Sequence, residues 1–225
     1  MIGAGRLAFL DGYLFRVMVD MLRSAGAESY GLYDFYKARI EQEGSALSGY
    51  DRILFEYVRT NFDPAERKLM HAGIGLGTLA SALSKEGFNV VGLERDAGRF
   101  SAATRVRSAV VDVWPAAAER YDLIAGSFPA VLLDTLWIAP QTLLVFTNCG
   151  SGWPDEFTDS VIALFPRFGD IILDTRLFGT VRDLPDERRH LIAKIEAQGL
   201  AVKSIPGAIA IGAYYYHIQH HQDGP

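Results

Sequence analysis

The sequence predicts an α/β fold: a mostly parallel sheet with a C-terminal antiparallel hairpin and an N-terminal helical extension. Three observations carry that prediction. From Arg67 onward, short apolar runs alternate with helical stretches, the pattern of a parallel sheet covered on both faces. The last two apolar runs are separated only by Pro206-Gly207-Ala208, and a parallel crossover needs about a dozen residues. Residues 1–62 lack strand-like runs and read as helical.

In the extension, Leu7, Leu10, Leu14, Val17 and Met21 recur at helical spacing, as do Ile53, Leu54, Tyr57 and Val58. Between them lie Tyr30, Tyr33, Phe35 and Tyr36, then loop signals at Gly44-Ser45 and Ser48-Gly49. Asp63-Pro64 is a turn or helix start, and the second zone is taken as 63–225. Its strand candidates are Lys68–Ala72, Asn89–Glu94, Ser108–Val113, Asp122–Ser127, Thr142–Asn148, Asp170–Thr175, Ala201–Ile205 and Ile209–Ile218. Helical stretches fall near 77–86, 97–106, 130–138, 155–167 and 185–198. The sheet therefore has seven strands, or eight if every run is one. No repeat or linker divides the chain, so 1–62 and 63–225 are read as one structural unit.

With 225 residues, 49% hydrophobic and 22% charged, the chain has the material for one substantial core. A net charge of -5 weighs against a duplex nucleic-acid partner. The densest basic stretch, from Arg182 to Lys194, is threaded with Asp183, Asp186 and Glu187 and reads as a solvated helix face. Cys149 is the only cysteine, so no intrachain disulfide forms. The start is a poor secretory signal, because Asp11 interrupts its apolar run. Pro129, Asp134 and Pro140 break the least charged stretch as a membrane helix, and the chain reads as cytoplasmic, without a membrane partner.

The most informative run is Lys68-Leu69-Met70-His71-Ala72-Gly73-Ile74-Gly75-Leu76-Gly77-Thr78-Leu79-Ala80. An apolar strand enters a bend with glycine at every second position, and an Ala/Leu-rich helix follows. Glycine lets a ligand approach the backbone and adopts positive φ without steric cost. Seventeen residues past Gly77, the second strand ends in Glu94, a carboxylate able to accept from both hydroxyls of a ribose. The dinucleotide fingerprint would put its third glycine at the position of Thr78, which argues against a nicotinamide-dependent oxidoreductase.

The run resembles the first motif of the class I S-adenosylmethionine-dependent methyltransferases, which are Rossmann-like, and the resemblance covers about residues 67–130. It implies S-adenosyl-L-methionine as cofactor, with Gly73, Gly75 and Gly77 beneath its methionine part and Glu94 on its ribose. It implies that Asp112, ending a third strand, reaches the adenine amino group, with Val113 against the ring. Ser127 would sit at the edge of the fourth strand beside the transferable methyl. Two positions depart from the family. His71 replaces the acid before the glycines, and Ser127-Phe128-Pro129 is not the Asn/Asp-Pro-Pro-aromatic signature of the amino-methylating branch.

The implied reaction is in-line methyl transfer to a small-molecule oxygen or nitrogen acceptor, partly enclosed by the N-terminal helices, with His71 and Ser127 as candidates for removing a proton. Two alternatives stay open: an aminocarboxypropyl transferase on the same scaffold, and a methyltransferase-like binding module without turnover, which His71 favours. His217, His220 and His221 run into a polar tail and read as solvated, not as a metal site.

Overall fold

In a computed structural model of the protein, the described residues are 12–17, 46–131, 140–147, 149, 153–178 and 185–221. The aromatic segment Tyr30, Tyr33, Phe35 and Tyr36 and most of the helical stretch near 130–138 lie outside them. Residues 12–17 are helical and bury Leu14 completely. Helix α1 (Gly49–Asn61) begins where Ser48 and Asp51 close a reciprocal capping box. The Ser48 hydroxyl accepts from the Asp51 N–H at 3.0 Å, and the Asp51 carboxylate accepts from the Ser48 N–H at 3.3 Å. Leu54, Phe55 and Val58 form its buried stripe.

Strand β1 (Lys68–Ala72) follows, then α2 (Thr78–Lys85), β2 (Asn89–Glu94), α3 (Ala97–Val113), α4 (Ala117–Arg120) and β3 (Tyr121–Ala125). The chain continues with β4 (Thr142–Phe146), α5 (Asp155–Ile162), β5 (Asp170–Asp174), α6 (Pro185–Glu196), β6 (Leu200–Ser204) and β7 (Tyr215–His220). The sheet order is β3-β2-β1-β4-β5-β7-β6. Pairs β2–β3, β1–β4 and β4–β5 are parallel, whereas β5–β7 and β6–β7 are antiparallel. Every residue of β4 and β5 is buried, as expected of strands covered on both faces.

Two expected strands are corrected. Residues 108–113 end a 17-residue helix, not a strand. Asp96 caps that helix by accepting from the Arg99 N–H at 2.8 Å, and Ala102, Ala103, Val106 and Val110 recur on its buried face. That period overrides the local β preference of Val110-Val111. The eight candidates therefore reduce to seven, and the run around Asp122 becomes the third strand instead of the fourth. In the last run, Ile209–Ile211 is a short 3-10 turn closed by Gly212 at φ 70, and the strand is confined to Tyr215–His220.

By packing, the chain divides into two compact units, one of 1–65 with 74–126 and one of 66–73 with 127–225. In the first, the Tyr13 hydroxyl donates to the Ala109 carbonyl at 2.5 Å and its ring meets Trp114 edge-on at 5.5 Å. In the second, Phe146 is the hub of an aromatic cluster with Phe128, Trp153, Phe165 and Phe178. Also in the second unit, buried Asp170 bridges Arg67 at 3.0 Å and His217 at 2.8 Å. His217 is thus buried strand chemistry, not a solvated tail, while His220 and His221 are exposed. No group of metal ligands occurs among the described residues. Among those residues, too, no helix is long and apolar enough to cross a membrane.

Removing the carboxylate at Asp170 strips Arg67 and His217 of a shared buried acceptor. Asp170→Ala is expected to lower the unfolding free energy by about 3 kcal/mol in a urea titration. A loss under about 0.5 kcal/mol, the size of an exposed pair, would show that the bridge contributes no more than a surface contact.

Candidate functional site

The glycine bend joins β1 to α2 and has the expected backbone. Gly73, Gly75 and Gly77 have φ of 74, 60 and 74°, the left-handed region that other residues enter only at a cost. Gly77 is the N-cap of α2 and, having no side chain, supplies no cap hydrogen bond. The Ile74 N–H donates to the Leu93 carbonyl at 3.2 Å, which ties the bend to β2.

Glu94 ends β2 and is only 5% exposed, yet both its carboxylate oxygens are occupied. One accepts from the Gly75 N–H at 3.1 Å and the other from the Asp96 N–H at 2.9 Å. Two backbone donors offset part of the cost of burying the carboxylate. Each oxygen keeps one further acceptor position, so the group still matches the two hydroxyls of a ribose. Just beyond β3, the Gly126 N–H donates to the Glu94 carbonyl at 2.9 Å and Ser127 is half-buried.

The space that glycine leaves at two positions is taken by the protein itself. A Cβ on Gly77 would lie 2.1 Å from the Tyr121 hydroxyl, and one on Gly73 would lie 2.4 Å from the Cys149 Cβ. Both glycines are therefore required by internal packing. The Tyr121 hydroxyl is wholly buried with no hydrogen-bond partner among the described residues. Burial raises the phenol well above its usual range, against a smaller opposing pull from Arg107.

In the other compact unit, His71 lies within β1 and is buried, and its Nε2 is 2.5 Å from the Thr147 Oγ1 just past the end of β4. The imidazole that replaces the family's acid is thus bonded within the sheet. Because Tyr121–Ala125 is the third strand, Thr147 and Cys149, not Ser127, follow the fourth. Asp96 was missed because its contribution is a backbone N–H, which no residue type announces.

Asp112 and Val113 are corrected outright. Both sit on the last turn of α3, roughly 25 Å of helix from its start beside the end of β2. Asp112 is exposed, and its charge reinforces the burial that raises the Tyr13 phenol. Val113 is 41% exposed. A helix runs back from the carboxyl end of one strand to the start of the next, so its last turn is remote from a site built on strand ends.

The close approach of Tyr121 to Gly77 gives a double-mutant test. Gly77→Ala should cost roughly 2–4 kcal/mol from positive φ plus overpacking. Tyr121→Phe removes an unbonded buried hydroxyl and should be neutral or stabilising by about 1 kcal/mol. When Gly77→Ala is combined with Tyr121→Phe, the alanine should cost less by roughly 1 kcal/mol in urea unfolding. Equal costs with and without the tyrosine hydroxyl would refute the contact.

No protein-family model and no curated protein matches the sequence. Solved structures do. A TehB-like SAM-dependent methyltransferase from Corynebacterium glutamicum superposes with a TM-score of 0.53 at 16% identity, covering 84% of this chain and 96% of that one. An O-methyltransferase from Bacillus cereus in complex with SAH gives 0.54 at 12% identity, covering 83% and 88%. A magnesium protoporphyrin IX methyltransferase from Synechocystis with bound SAM gives 0.53 at 13%, covering 84% and 82%. The strand order, the glycine bend after β1 and this likeness together show that the chain has the Rossmann-like fold of the class I S-adenosylmethionine-dependent methyltransferases.

Proposed function

We propose that the protein is an S-adenosyl-L-methionine-dependent methyltransferase acting on a small-molecule oxygen or nitrogen acceptor. The observation that carries this reading is Glu94: a buried carboxylate at the end of β2, held by the Gly75 N–H and retaining acceptor capacity on both oxygens. The three similar structures, two of them holding SAM or SAH, support the same reading.

When bound, the cofactor supplies an electrophilic methyl group on a sulfonium. Glu94 binds the ribose hydroxyls, and Gly75, at φ 60°, offers backbone that a ligand can approach. Because Tyr121–Ala125 is the third strand, Ser127 takes the place that the family gives to adenine contacts. His71 fixes Thr147 through its ring nitrogen, and its burial makes it a positioning residue instead of a base open to an acceptor. Proton removal from the acceptor therefore falls to water.

One observation favours a second reading, a binding module without turnover: the residue in place of the family's acid spends its Nε2 on Thr147.

Calorimetry with S-adenosylhomocysteine tests the proposal. The parent protein should bind, and Glu94→Ala should lose about 1.5–3 kcal/mol of binding free energy. Asp112→Ala should bind like the parent, since that carboxylate lies at the far end of α3. Absence of heat at millimolar ligand would remove the cofactor from the protein's chemistry. Methylthioadenosine as spent cofactor would replace methyl transfer by aminocarboxypropyl transfer.

A further inference from the structure

Gly92 stands buried in the middle of β2, and its backbone is that of a strand, without positive φ. Its conformation therefore does not require glycine. A glycine inside a strand packs nothing and weakens it, unless another group needs the space. Here that group is Ile74, between Gly73 and Gly75 in the bend. A Cβ on Gly92 would overlap the Ile74 Cδ1 and stand 3.2 Å from its Cγ1 and 3.1 Å from the Leu123 Cδ2. The same Cδ1 lies 3.4 Å from the Cβ position of Gly77. Ile74 is 6% exposed, so its side chain is folded under the bend and seated on bare backbone of β2. Ile74, Gly77, Gly92 and Leu123 all belong to one compact unit.

This seat lies directly beneath the tether to Glu94. The Ile74 N–H donates to the Leu93 carbonyl at 3.2 Å, and the next N–H, that of Gly75, donates to the Glu94 carboxylate at 3.1 Å. Two successive donors of the bend thus meet two successive residues of β2. How deeply Ile74 sinks over Gly92 sets the spacing of both bonds. Ile74 is β-branched and stiff at χ1, and Leu123 and Gly77 flank its tip. A methyl group added at position 92 would lift Ile74 and carry the Gly75 N–H with it, because packed interiors answer overpacking with backbone shifts.

We infer that Gly92 is a positioning residue of the nucleoside site, the socket that seats Ile74 and thereby sets where the Gly75 N–H meets Glu94. It touches no ligand and acts through the bend. The inference rests on the reading of Glu94 as the ribose-binding carboxylate, so its test includes one readout that needs no cofactor.

The test moves one methyl group across the contact. Gly92→Ala adds it, Ile74→Val removes the Cδ1, and the double variant does both at nearly constant volume. Each protein is titrated with S-adenosylhomocysteine in calorimetry, and its Gly75 amide is followed by NMR without ligand. Gly92→Ala should shift the Gly75 amide and weaken binding by about tenfold, the worth of one hydrogen bond to a charged group. Ile74→Val should bind within about threefold of the parent, since one buried methyl is lost. The double variant should recover the parent's amide shift and most of its affinity. Val110→Ala, a cavity on the buried face of α3 in the same unit, is the control for lost stability. It should lower the urea midpoint and leave both readouts as in the parent. An unmoved Gly75 amide or unchanged affinity in Gly92→Ala would overturn the inference, and so would a double variant as weak as Gly92→Ala. If Gly92→Ala alone does not fold, a folded double variant with the parent's Gly75 amide sustains the socket, and an unfolded one overturns it. A parent that binds no S-adenosylhomocysteine would end the cofactor reading, while the Gly75 amide would still decide the socket.

Discussion

A buried carboxylate needs donors, and Glu94 finds its donors in the backbone. Its oxygens accept from Gly75 on one side and Asp96 on the other, so one side chain holds the glycine bend and the start of α3 to the end of β2. The bend needs such a tether. Three glycines at positive φ let it turn tightly, while Ile74 and Leu76 between them are buried. Ile74 adds a backbone bond to Leu93, and the Glu94 carbonyl accepts from Gly126. Three consecutive chain reversals thus converge on one residue, and the same carboxylate is the group proposed to grip a sugar. Structure and proposed binding draw on one set of lone pairs.

The glycines carry two demands. Tyr121 and Cys149 occupy the volumes where side chains would stand at Gly77 and Gly73, so internal packing alone excludes larger residues there. A glycine motif therefore records close approach without recording by what. The partner is a phenol in one case and a thiol-bearing side chain in the other.

In the second compact unit, polar groups are buried in pairs. His71 meets Thr147, Asp170 meets Arg67 and His217, and Asp174 forms a two-point bridge with Arg176. The first two join neighbouring strands or residues just beyond them, where register decides who meets whom, whereas Asp174 and Arg176 meet across two positions of the chain. Thr158 is different, because its hydroxyl is buried beside a cavity and has no partner among the described residues.

The sequence by itself determined β1 and β2 to the residue, the positive-φ bend between them, and Glu94 as the carboxylate that closes them. These are local matters: a short apolar run, glycine's freedom from a Cβ, and an acid at a strand end. It also announced the antiparallel finish, since a short connection cannot cross over. Tertiary structure alone decided that Val110 and Val111 belong to a helix, because their β-branched preference yields to a buried stripe set by Ala102, Ala103 and Val106. That decision moved Ser127 from the edge of the fourth strand to the edge of the third and put Asp112 and Val113 on the last turn of a helix. It likewise decided that Thr147 meets His71, 76 positions away, and that Asp96 acts through its N–H. Partners brought together by strand register, and donors that belong to the backbone, leave no mark on the order of side chains.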